Sequence, residues 1–119
     1  MKSVKLHEMK KVEIVVRGED LDFVIDLLER AGVSGYTIIH NLSGKGSHGF
    51  HEGHLLFNEE DTLVMVISVM PESLVKALLE GITPFLNKHS GVVFVSSVMV
   101  SRVEKFGDVP TSAGGRGLS

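Results

Sequence analysis

The chain contains no cysteine. That excludes disulfides, thiol chemistry and cysteine-based zinc sites. It also has little net charge: twelve Lys and Arg against fifteen Asp and Glu leave −3 over 119 residues. So small an imbalance argues against a strong electrostatic grip on nucleic acid. Long apolar runs are missing too. None reaches the roughly 18 residues of a bilayer-crossing helix, and the opening MKSVKLHEMKK lacks the apolar core of a signal peptide. A cytoplasmic protein is expected. What the chain does have is 43% hydrophobic residues, which suits one folded domain with a real core.

The apolar residues change period along the chain. Val12–Val16 (VEIVV) is short and β-branched and reads as a strand, ended by Arg17-Gly18. Leu21, Val24, Ile25 and Leu28 then fall at i, i+3, i+4, i+7, one stripe of a helix. That helix is expected from Glu19, with acidic residues in its first turn and Gly32 as the left-handed residue that ends it. GYTIIHNL (35–42) and TLVMVISVM (62–70) read as the next two strands. Pro71 suits the first position of a second helix, whose apolar face is Leu74, Val75, Leu78, Ile82 and Phe85. Gly81 and Pro84 should weaken that helix, kink it or end it early. Gly91 opens a last extended run, and 107–119 is small and polar, expected as a flexible tail.

This order, βαββαβ, predicts an α+β ferredoxin-like sandwich: a four-stranded antiparallel sheet with both helices on one face. A sheet covered on one side should alternate apolar and polar. Residues 63–67 and 92–95 instead run apolar without a break. Either further copies of the chain cover the second face, or the edge is simply hydrophobic; exposed patches of this size favour a homo-oligomer.

The stretch SGKGSHGFHEGH (43–54) carries the most chemistry. Gly44, Gly46 and Gly49 can turn backbone N–H groups toward an anion, with Lys45, Ser43 and Ser47 as further donors. It is not a Walker A loop, and a plain turn fits the same residues. His48, His51 and His54, with His40 and Glu52 nearby, can converge on zinc, copper or nickel; a polar loop without metal is the competing reading. No nucleophile–base arrangement or paired-carboxylate signature is visible, so an enzyme is not expected. Lys88 and His89 stand at the helix-to-strand turn before Ser90-Gly91, and Arg102 and Lys105 near the end of the last strand. Each suits an anion contact or an ordinary solvated position.

GYTIIHNLSGKGSHG, KKVEIVVRGEDLD and VISVMPESLVKALLEGI together resemble the PII signalling superfamily, in particular the PII-like proteins associated with carboxysomes and bicarbonate transporters. The resemblance covers about residues 10 to 106, leaving 1–9 as an N-terminal extension and 107–119 as the tail. It implies a homotrimer that binds an adenine nucleotide in each cleft between neighbours and docks a target through a T-loop, here about 43–58. Carried over, it sets Val15 and Val69 beside the adenine and Gly35, Tyr36 and Thr37 along base and ribose. Gly44, Lys45, Gly46 and Ser47 would lie along the phosphates. Lys88, His89, Ser90 and Gly91 take the B-loop position, with Arg102 and Lys105 as C-terminal phosphate contacts. The B-loop of nitrogen-sensing members is a longer TGxxGDGK-type run; NKHSG offers fewer donors, which implies AMP or ADP rather than ATP. The modified T-loop tyrosine and the glutamine used for magnesium and 2-oxoglutarate are absent. Bicarbonate is the implied second ligand, a bicarbonate transporter or a carboxysome-linked protein the implied partner, and a metal-binding trimer of the ion-tolerance type the alternative.

Overall fold

The computed structural model describes residues 5–43 and 62–102. Its elements are β1 (His7–Arg17), a 3-10 turn (Gly18–Asp20), α1 (Leu21–Ala31), β2 (Thr37–Leu42), β3 (Leu63–Met70), α2 (Glu72–Leu86) and β4 (Gly91–Val100). The strands form one antiparallel sheet in the order β2-β3-β1-β4. This is the expected ferredoxin-like sandwich.

Several boundaries depart from the sequence reading. β1 begins at His7, five residues ahead of the β-branched run, because His7–Lys11 pair with Val100–Ser96 of β4. Three residues read as N-terminal extension therefore belong to the sheet. α1 starts at Leu21, after a separate turn holding Glu19 and Asp20. Its end is as expected: Gly32 adopts φ 87°, its N–H reaches the Glu29 carbonyl at 3.1 Å, and the Val33 N–H reaches that of Leu28 at 3.3 Å. These two bonds form a Schellman closure.

Pro71 caps α2 from outside the helix, with extended backbone, and its carbonyl accepts from the Leu74 N–H at 3.0 Å. α2 then passes through Gly81 and Pro84 to Leu86, later than the sequence led one to expect. The proline falls in the last turn, so the bond lost with its N–H and any kink leave only Phe85 and Leu86 of the helix beyond it. Gly81 faces α1: a Cβ there would stand 2.8 Å from Leu27 Cδ1, the end of a flexible side chain that would have to shift.

The core lies between the helices and one face of the sheet. Val12, Ile14 and Val16 of β1 and Val64, Val66 and Met70 of β3 meet Val24 and Leu28 of α1 and Val75, Leu78 and Ile82 of α2. Ser68 is the buried polar residue on that face, and its hydroxyl donates to the Gly35 carbonyl at 2.8 Å. Burial alternates along β3 although its apolar character does not. Its even residues lie under the helices, and its odd residues Met65, Ile67 and Val69 are half-buried on the other face.

Directly opposed residues of antiparallel strands share a face. The register therefore puts Val15, Val92, Phe94, Ile39 and Thr37 on that second face with Met65, Ile67 and Val69. No element of the chain covers it among the described residues. Phe94 is 52% exposed and Ile39 40%. An ion pair, Lys11 Nζ to Glu13 Oε2 at 3.7 Å, stands among these apolar neighbours.

Candidate functional site

One end of the sheet gathers the segments of interest. β1 ends there, β3 begins and β4 begins. The Gly18 N–H donates to the Thr62 carbonyl at 2.6 Å, and Leu42 pairs with Leu63. Between Ile39 and Leu42 the β2–β3 register shifts, and Asn41 takes φ 61°. Asparagine tolerates this left-handed geometry better than most side chains. Such an irregularity bends the strand end and re-aims the chain beyond it. Ser43 comes directly after β2. Gly44, Lys45, Gly46 and Ser47 lie outside the described residues, as do His48, His51, His54 and Lys105. Among the described residues no group of three or more His, Asp and Glu is placed to hold a metal ion.

The turn between α2 and β4 occupies the same end. The Asn87 N–H donates to the Thr83 carbonyl at 3.1 Å, and the N–H groups of Lys88 and His89 donate to that of Phe85 at 3.0 and 2.9 Å. Three consecutive backbone donors are thus turned back onto the helix. Those N–H groups are therefore not open to a ligand, which leaves the side chains of the turn as its available donors. His89 is exposed, but its ring does not stand alone. It lies against Phe85, centroids 4.4 Å apart and planes 5° apart, and Phe85 lies against Phe23 at 4.6 Å and 15°. Beside this stack is a groove of about 470 Å³ lined by Asp20, Phe23, Gly81, Pro84, Phe85 and His89. Asp20 Oδ2 is buried there without a hydrogen-bond partner among the described residues. The sequence reading missed the stack, although the spacing of Phe85 and His89, four apart at a helix end, was a usable signal.

Gly91 has a packing role of its own. An added Cβ would meet Val16 Cγ1 at 3.0 Å, Leu86 Cδ2 at 3.1 Å and the Val15 carbonyl oxygen at 3.3 Å. Gly35 differs, for a Cβ there meets nothing within 4 Å. Gly91→Ala is therefore expected to cost about 1–3 kcal/mol by overpacking, and Gly35→Ala to leave the fold's stability nearly unchanged. Urea unfolding of the two variants checks the contrast; equal midpoints would contradict it.

The other candidate residues are spread along and across the sheet. Thr37 and Val69 sit on the uncovered face, Thr37 opposite Ile67 and Val69 opposite Lys11, while Val15 lies level with Met65 and Val92. Tyr36 turns toward α1 instead, and its hydroxyl donates to Glu29 Oε2 at 3.2 Å. Desolvation, then the Glu29 carboxylate, raises its pKa above the ordinary tyrosine value. β2 and β4 are opposite edges, three strand spacings or about 14 Å apart. Arg102 lies two residues past β4, whose last residue pairs with His7 while Gly91 pairs with Val16. Those nine residue-to-residue steps of strand separate Arg102 from the α2–β4 turn by about 30 Å. One chain cannot bring these groups onto one small ligand.

The model of the family described as "Nitrogen regulatory protein P-II" matches residues 9–105. The chain belongs to the PII family. As a PII-like protein it is a member of a family of signalling regulators. A structure of CPII from Thiomonas intermedia K12, bound to ADP, AMP and acetate, is 53% identical, with TM-score 0.78 over 87% of this chain and 98% of that one. A second CPII structure, a nitrogen regulatory PII-like protein from the same organism bound to ADP, AMP and bicarbonate, is 58% identical, with TM-score 0.74 over the same shares. The nitrogen fixation nifHD region GlnB-like protein 1 of Methanothermococcus thermolithotrophicus is 24% identical over 92 residues, 76% of this chain and 88% of that one. Among the described residues of this PII protein, no helix is long and apolar enough to cross a membrane.

Proposed function

We propose that the protein is a cytoplasmic, non-enzymatic regulator that binds ADP or AMP in preference to ATP, together with bicarbonate. The sites would be clefts between the chains of a homotrimer. The adenine would lie near Val15 and Val69, and the base and ribose along Gly35, Tyr36 and Thr37. The phosphates would be met by Gly44, Lys45, Gly46 and Ser47, by Lys88, Ser90 and Gly91, and by Arg102 and Lys105 of the neighbouring chain. Ligand state would select the arrangement of residues 43–58 and so its fit to a partner in inorganic-carbon uptake or at the carboxysome.

The observation that carries this reading is the ligand set of structures more than half identical over 87% of the chain: ADP and AMP, with acetate or with bicarbonate. Acetate and bicarbonate are both small planar anions of the carboxylate kind. One pocket of donors suits either. The division of the candidate residues between distant parts of the sheet supports a site assembled from more than one chain. The backbone donors at 87–89, already engaged by the helix, support a weak hold on a third phosphate.

Isothermal titration of the metal-free protein with AMP, ADP and ATP, each with and without bicarbonate, tests it. Micromolar uptake of ADP or AMP at about one site per chain, tightened by bicarbonate, is expected. Absence of heat with every nucleotide would falsify the proposal.

A further inference from the structure

We infer that the Phe23–Phe85–His89 ring stack is the device that positions the α2–β4 turn, and that His89 serves the nucleotide through its packing without touching a phosphate. This inference rests on the nucleotide-binding reading above. His89 occupies a position where a histidine invites assignment as a phosphate donor. The geometry points the other way. Its ring lies nearly parallel to Phe85, with 5° between the planes, and its backbone N–H is spent on the Phe85 carbonyl. The stack continues to Phe23, so the turn is tied to α1 as well as to α2.

The other end of the turn is fixed independently. Gly91 is closed in by Val16, Leu86 and the Val15 backbone, and it pairs with Val16 in the sheet. Between the His89 ring and Gly91 only Ser90 intervenes. Lys88 and Ser90, side chains able to meet an anion, therefore project from a backbone held at both ends. A donor held in place before the ligand arrives loses less freedom on binding. If the stack is removed, the same donors remain but must be ordered by the ligand.

The test separates packing from contact by chemistry. His89→Ala removes the ring; His89→Phe keeps a stacking ring and removes every polar atom of the side chain. ADP titration of both trimers is expected to show roughly five-fold weaker binding for His89→Ala and near-parental binding for His89→Phe. Phe23→Ala, one ring further from the turn, should weaken ADP in the same sense. Amide hydrogen exchange gives a second readout that needs no ligand: the Asn87, Lys88 and His89 amides should exchange roughly five-fold faster in His89→Ala and at the parental rate in His89→Phe. Equal loss of ADP affinity in His89→Ala and His89→Phe, with exchange unchanged in both, would make His89 a direct contact and overturn the inference. Parental behaviour of His89→Ala in both assays would overturn it as well. If the parent protein took up no nucleotide, the proposed function would fall, while faster exchange in His89→Ala alone would still uphold the stack as what holds the turn.

Discussion

Phe94→Lys is expected to leave a folded single chain that no longer assembles and no longer takes up ADP. Phe94 lies on the sheet face that the helices do not cover, and half its surface is open in one chain. Its removal should therefore cost the isolated fold little. The lysine would stand opposite Glu13 and find an opposite charge across the strands. In a trimer the same position would be pressed against neighbouring chains. Loss of about 2 kcal/mol of apolar burial per chain, together with the burial of a charge at every interface, should lower the association constant by several orders of magnitude. Nucleotide binding should go with it, because the candidate ligand groups of one chain lie about 30 Å apart along the sheet. Sedimentation velocity and ADP titration on the same sample check both halves. A variant that sediments as the parent and binds ADP as well would show that this face is not the interface.

Leu78→Ala attacks the fold itself. Leu78 has no exposed surface and sits in α2 against both the sheet and α1. Alanine is a good helix former, so the helix is kept while the packing is lost. Truncations of this kind cost about 2–5 kcal/mol, the spread depending on how far the neighbours collapse. A domain of this size has about 5–15 kcal/mol in all, so a large part of the stability is at stake. Urea unfolding should show a much lower midpoint with a similar slope. A loss below about 1 kcal/mol would mean the site relaxes around the cavity, contrary to the close packing described.

The order of elements was legible because the apolar period changes so clearly, from the β-branched run at Val12–Val16 to the i, i+3, i+4, i+7 stripe at Leu21–Leu28. The Gly32 closure was legible for a local reason: a left-handed position selects glycine. Features that depend on a distant partner were not. The early start of β1 is set by its pairing with Ser96–Val100, some ninety residues away in sequence, and Glu8, Lys10 and Lys11 hide it from any count of apolar residues. α2 runs on through Gly81, which faces Leu27 of α1, and through Pro84, which lies close to the helix end. At the candidate site, the residue types were legible but their grouping was not. Register decides which of Val15, Thr37, Val69, Gly91 and Arg102 are neighbours, and register is a property of the sheet. His89 illustrates the difference: its sequence neighbours suggested an anion, whereas its spatial neighbour is a phenylalanine ring.

The length of the β1–β4 ladder has a genetic consequence. With Arg102 at one end and the α2–β4 turn at the other, each ligand site of a trimer would draw on two copies of the gene product. A chain with Lys88 and Ser90 replaced by alanine and a chain with Arg102 replaced by alanine would each assemble into a defective trimer. Mixed in equal amounts, the two would rebuild intact sites wherever the good turn of one faces the good arginine of the other, at roughly a quarter of the clefts if assembly is random. Two null alleles could then complement each other inside one cell, and a single defective allele would spoil clefts in trimers that also contain normal chains.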